Sequence, residues 1–301
     1  MLPNFLIVGA AKCGTTSLYY YLKQHPEIYM SPVKEPNFIS FQFEKFPYEG
    51  HGDSKLYQRA VKTYRDYCNL FSASQGKKAV GEASVINLYY YEKTIPLIKE
   101  LLGTPKIIIM LRDPIERAFS AYLHFVRDST EHLTFEQALV QEEERKKDHW
   151  SPYWFYKEMG FYYDRVKAYT ENFDKVAVFL YDDLKDDPIG LMRAVYQFLE
   201  VDTSFNPNMR TKYNASGSPR IKMLNDLFTT PNVLKKILRP VGTCLLGQDR
   251  YVGLRDTVQA KNLRKLFVKK QTREYLTNVY REDVLKLQGF ISRDLSRWIA
   301  G

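Results

Sequence analysis

A lysine, two glycines and three hydroxyl side chains occur together in residues 9–17, which read GAAKCGTTS. An apolar, β-prone run (residues 5–8, FLIV) precedes this segment, and a predicted helix (residues 17–22) follows it. In a strand–loop–helix unit of this kind, backbone N–H groups converge on the loop and the positive end of the helix dipole adds to them. The segment therefore predicts a phosphate-binding loop. The alternative is a plain turn in which glycine serves geometry and threonine caps the helix.

The position of the lysine limits which class of phosphate-binding enzyme the loop fits. Gly9 and Gly14 have the spacing of a Walker A loop, in which a lysine directly follows the second glycine. Here Thr15 occupies that place, and Lys12 lies two residues before Gly14. The backbone loop that binds a phosphate is retained, but the lysine that would contact a γ-phosphate is in a different position. This difference argues against an ordinary ATPase or kinase.

A second group of polar residues surrounds Arg112, which leaves the end of the apolar run 106–111. In the following predicted helix, four polar residues fall on one stripe at a period of about 3.6 residues: Arg117, Ser120, His124 and Arg127. A solvated polar face would account for Arg117 and Arg127. A solvated face does not account for Arg112 at a strand end. This arginine suggests a binding site for a second phosphate.

The elements that must position these residues alternate along the chain. Strands are predicted at residues 5–8, 79–81, 106–111 and 176–180, the last two as buried runs. Helices are predicted at 17–22, 94–102 with Pro96 in the first turn, 114–126 capped by Asp113, 135–145, 160–171 and 188–199. This alternation predicts a parallel α/β sheet. Residues beyond Asn206 show no clear strand and are interpreted as a lid on the carboxyl edge of the sheet, where ligands of such sheets bind.

Composition sets wider limits. The 301 residues suit one large α/β domain, and the net charge of +9 favours anionic ligands. The three cysteines, Cys13, Cys68 and Cys244, have no paired or metal-binding spacing. Cys13 lies where its neighbours would lower a thiol pKa, but a small residue fitting a tight loop is the favoured interpretation. The chain starts on its first strand and has no long apolar run, so a cytoplasmic, reducing setting is expected.

Together these segments resemble the sulfotransferases that use 3′-phosphoadenosine 5′-phosphosulfate (PAPS), in the branch related to heparan sulfate N- and 3-O-sulfotransferases. The matching pieces are residues 5–16, Lys34-Glu35-Pro36, 112–120, 160–163, 181–184 and 293–298, so the resemblance covers nearly the whole chain. It implies a P-loop-type three-layer fold, a central parallel sheet flanked by helices, in a soluble, single-domain enzyme. We expect an α/β core at 1–205 and a mainly helical C-terminal part at 206–301 that completes the cleft.

The resemblance also implies roles for individual residues. The 5′-phosphosulfate should lie on the amides of Lys12, Cys13, Gly14, Thr15, Thr16 and Ser17, with the Lys12 ammonium beside the bridging oxygen. Arg112 and Ser120 match ligands of the 3′-phosphate, and no metal is required. Glu35 matches the catalytic carboxylate, although by itself it is also typical of a surface Lys–Glu pair. His124 matches an active-site histidine and is a second candidate acid or base, although a lone helical histidine is more often structural.

Three departures from the family pattern concern the acceptor and the 3′-phosphate. Ala83 follows Glu82 where glycan sulfotransferases of this branch have a cleft lysine. The family's C-terminal disulfide is absent, and so is its lysine-glycine-arginine loop, for which Arg220, Lys261 and Arg264 are candidate substitutes. The predicted activity is sulfuryl transfer to a hydroxyl, or less favourably an amine, of a small-molecule, lipid or carbohydrate acceptor. Aromatic residues that would stack on such an acceptor, or else belong to the core, are Phe38, Phe41, Phe43, Trp150, Tyr153 and Trp154.

Two other functions remain as alternatives at this point. A P-loop nucleotide or small-molecule kinase would need a lysine after Gly14 and a metal-binding carboxylate at a neighbouring strand end, and Arg112 holds the place where that carboxylate is expected. A basic nucleotide- or RNA-binding protein would explain the charge and the 23 tyrosines. It gives Lys12 and Glu35 no joint task, and no recognisable nucleic-acid module is present, so no nucleic-acid partner is expected.

Overall fold

The computed structural model describes residues 2–209, 218–219, 263–264 and 266–300. Its centre is a parallel sheet of five strands: β1 (Phe5–Gly9), β2 (Ile28–Met30), β3 (Ala79–Ala83), β4 (Lys106–Leu111) and β5 (Val176–Leu180). The strand order is β2-β3-β1-β4-β5, so β1 pairs with both β3 and β4. This order places the loop after β1 beside the end of β4. The predicted fold class is confirmed.

Helices connect the strands and cover the sheet. Their bounds are α1 (Thr15–Leu22), α2 (Phe38–Phe41), α3 (Ser54–Arg59), α4 (Tyr64–Asn69), α5 (Tyr91–Leu102), α6 (Pro114–Arg127), α7 (Phe135–Val140), α8 (Glu142–Lys147), α9 (Tyr163–Asn172), α10 (Tyr181–Asp186), α11 (Pro188–Leu199), α12 (Lys270–Ile291) and α13 (Ser296–Ile299). Short 3-10 turns lie at Val85–Leu88, Pro152–Trp154 and Glu158–Gly160.

Helix α6 forms as its sequence predicts. The Asp113 carboxylate accepts hydrogen bonds from the amides of Ile115 at 2.8 Å and Glu116 at 3.2 Å, and Pro114 occupies the first position, where its missing N–H costs nothing. This cap fixes the start of the helix at Pro114, two residues after Arg112. The side chains that face the sheet edge from α6 are therefore set by local signals.

Several predicted boundaries and burial states are wrong. Helix α5 starts three residues earlier than predicted, at Tyr91, so Pro96 lies inside the helix and not in its first turn. Helix α9 starts at Tyr163 because residues before it form a 3-10 turn, and the predicted helix 135–145 is divided at Gln141. Strand β2 was not predicted, since three residues carry no periodicity. Strand β5 is half-buried over most of its length, because it pairs only with β4 among the described strands.

The described C-terminal elements pack on the helix layer. Helix α12 is tied to the region before α9 by Tyr280, which donates to the carbonyl of Lys157 at 2.8 Å, and by Asp283, which accepts from the amide of Tyr162 at 2.8 Å. Residues 218–219 and 263–264 form two short antiparallel strands, which corrects the expectation that this part has none. The predicted lid lies largely outside the described residues, as do Arg220, Cys244 and Lys261, and the Arg264 side chain is not described. Among the described helices, none has the length and apolar character needed to cross a bilayer.

Candidate active site

A cleft of about 600 Å³ opens at the carboxyl edge of the sheet, where the β1 loop and the end of β4 meet. It gathers side chains from segments that are far apart in the sequence. Nine of the ten residues predicted for the site line it: Lys12, Gly14, Thr15, Thr16, Ser17, Glu35, Arg112, Ser120 and His124. The structure therefore brings together the two motifs that the sequence analysis placed at neighbouring strand ends.

The loop after β1 has the backbone shape of an anion cradle. Lys12 and Gly14 both have positive φ, at 70° and 87°, and Gly14 is the N-cap of α1 without a capping side chain. The amide of Leu18 donates to the carbonyl of Gly14 at 3.1 Å, whereas the amides of Thr15 and Ser17 lie in the first turn, which has no intrahelical acceptors. A Cβ at Gly14 would come within 2.8 Å of Leu184 and 2.9 Å of Tyr181, so a larger residue would displace those side chains, and the positive φ also favours glycine.

Cys13 is the predicted site residue that the cleft does not contain. Its side chain is fully buried, with the thiol 3.9 Å from the hydroxyl of Tyr162, and burial raises its pKa to about 11. Its amide donates to the carbonyl of Ala10 at 3.3 Å within the loop. The suggestion of a lowered thiol pKa is therefore wrong, and the interpretation of Cys13 as a small packing residue is the one that the geometry favours.

The Lys12 ammonium has a strongly lowered pKa. Burial, followed by the charge of Arg127, lowers its pKa to about 7, and Arg112 adds to the lowering. Asp128 and Glu35 act in the opposite direction and do not offset it. The side chains around Lys12 therefore do not fully balance an ammonium there, as expected of a site suited to a phosphate or sulfate.

Arg112 leaves β4 toward the same volume. Its guanidinium lies 4.7 Å from the ring centroid of Tyr181, donates to the carbonyl of Lys12 at 3.4 Å, and approaches Glu116 at 3.7 Å. Ser120, two turns into α6, is buried and lines the cleft beside it. Arg117 does not belong to this group: its side chain is buried and donates to the carbonyl of Tyr156, so the interpretation as a solvated face fails for this residue.

Glu35 is held at the other side of the cleft. Its φ is 58°, and its amide donates to the carbonyl of Ala83 at 3.1 Å, which fixes the backbone against the end of β3. One carboxylate oxygen pairs with the Lys34 ammonium, and the other accepts from the hydroxyl of Tyr153 at 3.4 Å. About a quarter of the Glu35 side chain (28%) remains exposed, so it is oriented and still accessible.

Glu82 lies behind this carboxylate in β3. It is buried, it accepts a hydrogen bond from Ser84 at 2.7 Å, and burial together with the nearby charge of Glu35 raises its pKa to about 7. The negative charge of Glu35 disfavours the ionised form of Glu82. With a pKa of about 7, Glu82 is partly protonated near neutral pH.

His124 faces the loop from α6. Its Nδ1 lies 2.7 Å from Nη2 of Arg127, and its Nε2 lies 3.9 Å from a carboxylate oxygen of Asp128. The positive charge of Lys12, then burial and Arg127, hold the pKa of the imidazole well below its ordinary value. The ring is therefore neutral at physiological pH in the ligand-free protein.

The cleft also contains residues that the sequence analysis did not assign to the site. They are Ala11, Tyr21, Lys34, Val85, Tyr181, Leu184, Lys185, Pro188 and Met209, with Tyr153 as a lining aromatic residue. Of the six aromatic residues named as acceptor contacts, Tyr153 alone lines the cleft as described. Trp154 is instead buried and stacks on Phe125 at 3.8 Å. Within the described residues, histidine, cysteine and acidic side chains do not form a cluster of three or more suited to a metal ion.

Comparison with known proteins gives a consistent result. The model of the family described as "Sulfotransferase family" matches residues 3–206. A solved sulfotransferase from Alicyclobacillus acidocaldarius is 34% identical, with a TM-score of 0.78 and 99% of both chains covered. Mouse carbohydrate sulfotransferase 15 is 29% identical over 171 residues, which is 46% of this chain and 30% of that protein. Mouse bifunctional heparan sulfate N-deacetylase/N-sulfotransferase 4 is 26% identical over 220 residues, 68% of this chain and 23% of that protein. The match spans less than a third of the length of these two relatives.

Proposed function

Since this chain belongs to the sulfotransferase family, we propose that it is an enzyme that moves a sulfuryl group from PAPS to a hydroxyl group of an acceptor. The observation that supports this most is the convergence of Lys12, Arg112 and Glu35 on one cleft at the carboxyl edge of the sheet. Two cations and an accessible carboxylate are the groups needed to hold a doubly phosphorylated nucleotide and to accept a proton.

The residues of the cleft fit PAPS. The first turn of α1 and the Lys12 ammonium suit the 5′-phosphosulfate, because they offer backbone donors and an unbalanced positive charge. Arg112 and Ser120 suit the 3′-phosphate, for which a guanidinium offers a bidentate fork. When bound, PAPS supplies the activated sulfuryl group and a stable bisphosphate leaving group.

Glu35 would accept the proton of the acceptor hydroxyl as the oxygen attacks sulfur. Its carboxylate is oriented by Lys34 and Tyr153 yet partly exposed to the cleft, as a general base must be. The acceptor oxygen would bond to sulfur as its O–H bond breaks, while the bond between sulfur and the bridging oxygen breaks and adenosine 3′,5′-bisphosphate leaves. The proton would stay on Glu35 until solvent removes it. The residue therefore raises the nucleophilicity of the acceptor only while that bond forms.

Lys12 would act on the leaving-group side of the sulfuryl group. Negative charge grows on the oxygen that bridges phosphorus and sulfur, and an ammonium beside that oxygen favours the transition state over the ground state. Binding of the anion would raise the pKa of Lys12 from about 7 and make it cationic. Lys12 is then a catalytic group whose charge state depends on the nucleotide.

We propose that no divalent metal is needed, because the two cations would neutralise the phosphates. A kinase is not favoured, since Thr15 stands where a Walker A lysine would be and Arg112 stands where a metal-binding carboxylate would be. The family match agrees with this order of preference.

The acceptor is proposed only as a class: a small molecule, a lipid or a carbohydrate, with a hydroxyl favoured over an amine. The cleft is lined in part by Tyr21, Tyr153 and Val85, of which Tyr153 contacts Glu35, and their faces suit an apolar or ring-shaped acceptor. We further propose that residues 1–301 act as one domain, that residues 206–301 complete the cleft, and that the protein works in the cytoplasm.

Transfer of labelled sulfur tests the proposed function. The protein is incubated with ³⁵S-labelled PAPS and a small-molecule and lipid extract of its own cell, and labelled products are separated. We expect labelled acceptor with the wild type and a large decrease with Lys12→Ala. The absence of labelled product with the wild type, or label transferred only in the presence of Mg²⁺ and ATP, would contradict the proposed function. Equal labelling by both proteins would contradict the role of Lys12.

A further inference from the structure

We propose that Arg127 holds His124 in the neutral tautomer that carries its proton on Nε2, so that His124 serves the cleft as a hydrogen-bond donor and not as a base. This inference concerns the catalytic cleft and therefore rests on the proposed function for its chemical meaning. Arg127 is then a positioning residue, one turn after His124 on α6.

The contact between the two side chains fixes the proton. Nη2 of Arg127 lies 2.7 Å from Nδ1 of His124, and a guanidinium has donors but no acceptor. Nδ1 must therefore accept with its lone pair. In a neutral imidazole the remaining proton then lies on Nε2.

Arg127 is itself held in place. Its Nε donates to a carboxylate oxygen of Asp128 at 2.9 Å, and its side chain is only 16% exposed. The other carboxylate oxygen of Asp128 lies 3.9 Å from Nε2 of His124, which is too long for a direct hydrogen bond. Nε2–H is thus not used by Asp128 and can donate to an oxygen in the cleft.

The charged groups around the His124 ring disfavour protonation of both of its nitrogens. Lys12 faces it from the loop, Arg127 contacts it from α6, and Asp128 is the acidic group beside it. The pKa of His124 is lowered by Lys12, burial and Arg127, in agreement with the geometry. A ring with Nδ1 occupied and Nε2 protonated has no site that can take the acceptor's proton.

This tautomer gives Glu35 and His124 different roles in the cleft. Glu35 is the only carboxylate among the described residues that line it, and it keeps the role of base. His124, next to Lys12, is placed to donate to an oxygen on which negative charge grows, without transferring its proton. A neutral donor that is fixed in advance stabilises such charge in a site shielded from water.

Variants of His124 separate the two roles. Glutamine offers an N–H donor at a similar reach but cannot act as a base, whereas alanine offers neither. We expect His124→Ala to lose about 10²–10³-fold in kcat, the range for removal of a transition-state donor, and His124→Gln to recover most of that loss. Equal loss in both variants, with unchanged nucleotide affinity and thermal stability, would overturn the donor role.

The tautomer is read directly by ¹⁵N NMR of the imidazole in the wild-type protein, which requires no turnover. We expect protonated Nε2 and unprotonated Nδ1, the same pattern in Arg127→Lys, and a mixture of tautomers with a higher imidazole pKa in Arg127→Met. A proton on Nδ1 in the wild type, or an identical spectrum in Arg127→Met, would refute the role of Arg127. If the tautomer is as proposed but no sulfuryl transfer is found, the proposed function fails and the positioning of His124 stands.

Discussion

Tyr153 places its hydroxyl 3.4 Å from a carboxylate oxygen of Glu35, although 118 residues separate the two in the chain. The pKa of Tyr153 is raised well above its ordinary value by burial and then by the charge of Glu35, so the hydroxyl stays protonated and can only donate to the carboxylate. Because Lys34 pairs with the other oxygen, Glu35 has a defined orientation before any acceptor enters.

Tyr153→Phe tests this orientation. It removes the donor and keeps the ring, so we expect kcat to fall by about 2–10-fold, the effect of one lost hydrogen bond, with nucleotide affinity unchanged. Steady-state kinetics and calorimetry give the two values. Tyr29→Phe is the control, because it deletes a hydroxyl that donates to the carbonyl of Leu70 at 2.9 Å outside the cleft. Equal losses in the two variants would remove the positioning role.

Glu35→Gln tests the base. The substitution keeps the shape and removes the proton acceptor, so we expect a loss of roughly 10²–10⁴ in kcat and unchanged affinity for adenosine 3′,5′-bisphosphate. Glu49→Gln, at an exposed position, controls for the loss of one negative charge. Near-normal activity of Glu35→Gln would assign the proton transfer to another group.

Substitutions of Lys12 and of Arg112 should affect different quantities, namely kcat for Lys12 and nucleotide affinity for Arg112. Lys12→Ala should lower kcat while much of the nucleotide affinity remains, because the α1 amides still hold the 5′-phosphate. Arg112→Ala should weaken nucleotide binding by about 1.5–3 kcal/mol for a lost charge-assisted contact. Kinetics and calorimetry on both variants check this, and a similar loss of affinity in each would argue against separate roles.

Nucleotide binding should take up a proton. The folded pKa of Lys12, about 7, lies below its ordinary value of 10.5, so between these values the free protein holds a neutral amine where the unfolded chain holds an ammonium. The cost of keeping an ammonium in the fold is therefore full below about pH 7 and declines as the pH rises toward 10.5, so stability from this group increases through that window. An anion beside Lys12 restores the ammonium.

Calorimetry in buffers of different ionisation enthalpy measures this uptake. At about pH 8 we expect close to one proton bound for each adenosine 3′,5′-bisphosphate. Lys12→Arg, whose guanidinium remains charged, should show almost none. Uptake that is unchanged in Lys12→Arg would place the titrating group elsewhere.

Much of the fold and the site follows from local sequence signals. Asp113-Pro114 specifies where α6 begins, and the glycines with Lys12 specify the loop after β1. Because the carboxyl ends of adjacent parallel strands share one edge, these two motifs had to meet. That relationship accounts for eight of the nine predicted residues that line the cleft, all except Glu35.

What local signals could not provide depends on contacts between distant segments. Arg117 shares the stripe of Ser120 and His124, yet it is buried because the chain around Tyr156 packs over it. Tyr153 and Lys185 reach the cleft through loop and helix placement that has no periodic signature. Cys13 does not line the cleft with its neighbours, because its side chain points toward Tyr162 within a tight loop.

Binding of three nucleotides tests the central claim most directly. Calorimetry in the presence of EDTA compares adenosine 3′,5′-bisphosphate with AMP and ATP, which lack the 3′-phosphate. We expect the bisphosphate to bind at least about 10-fold more tightly than either, since a charge-assisted bidentate contact from Arg112 contributes about 1.5–3 kcal/mol, and we expect Mg²⁺ to make no difference. Equal affinity for the three nucleotides, or binding that requires Mg²⁺, would contradict the assignment as a PAPS-dependent sulfotransferase.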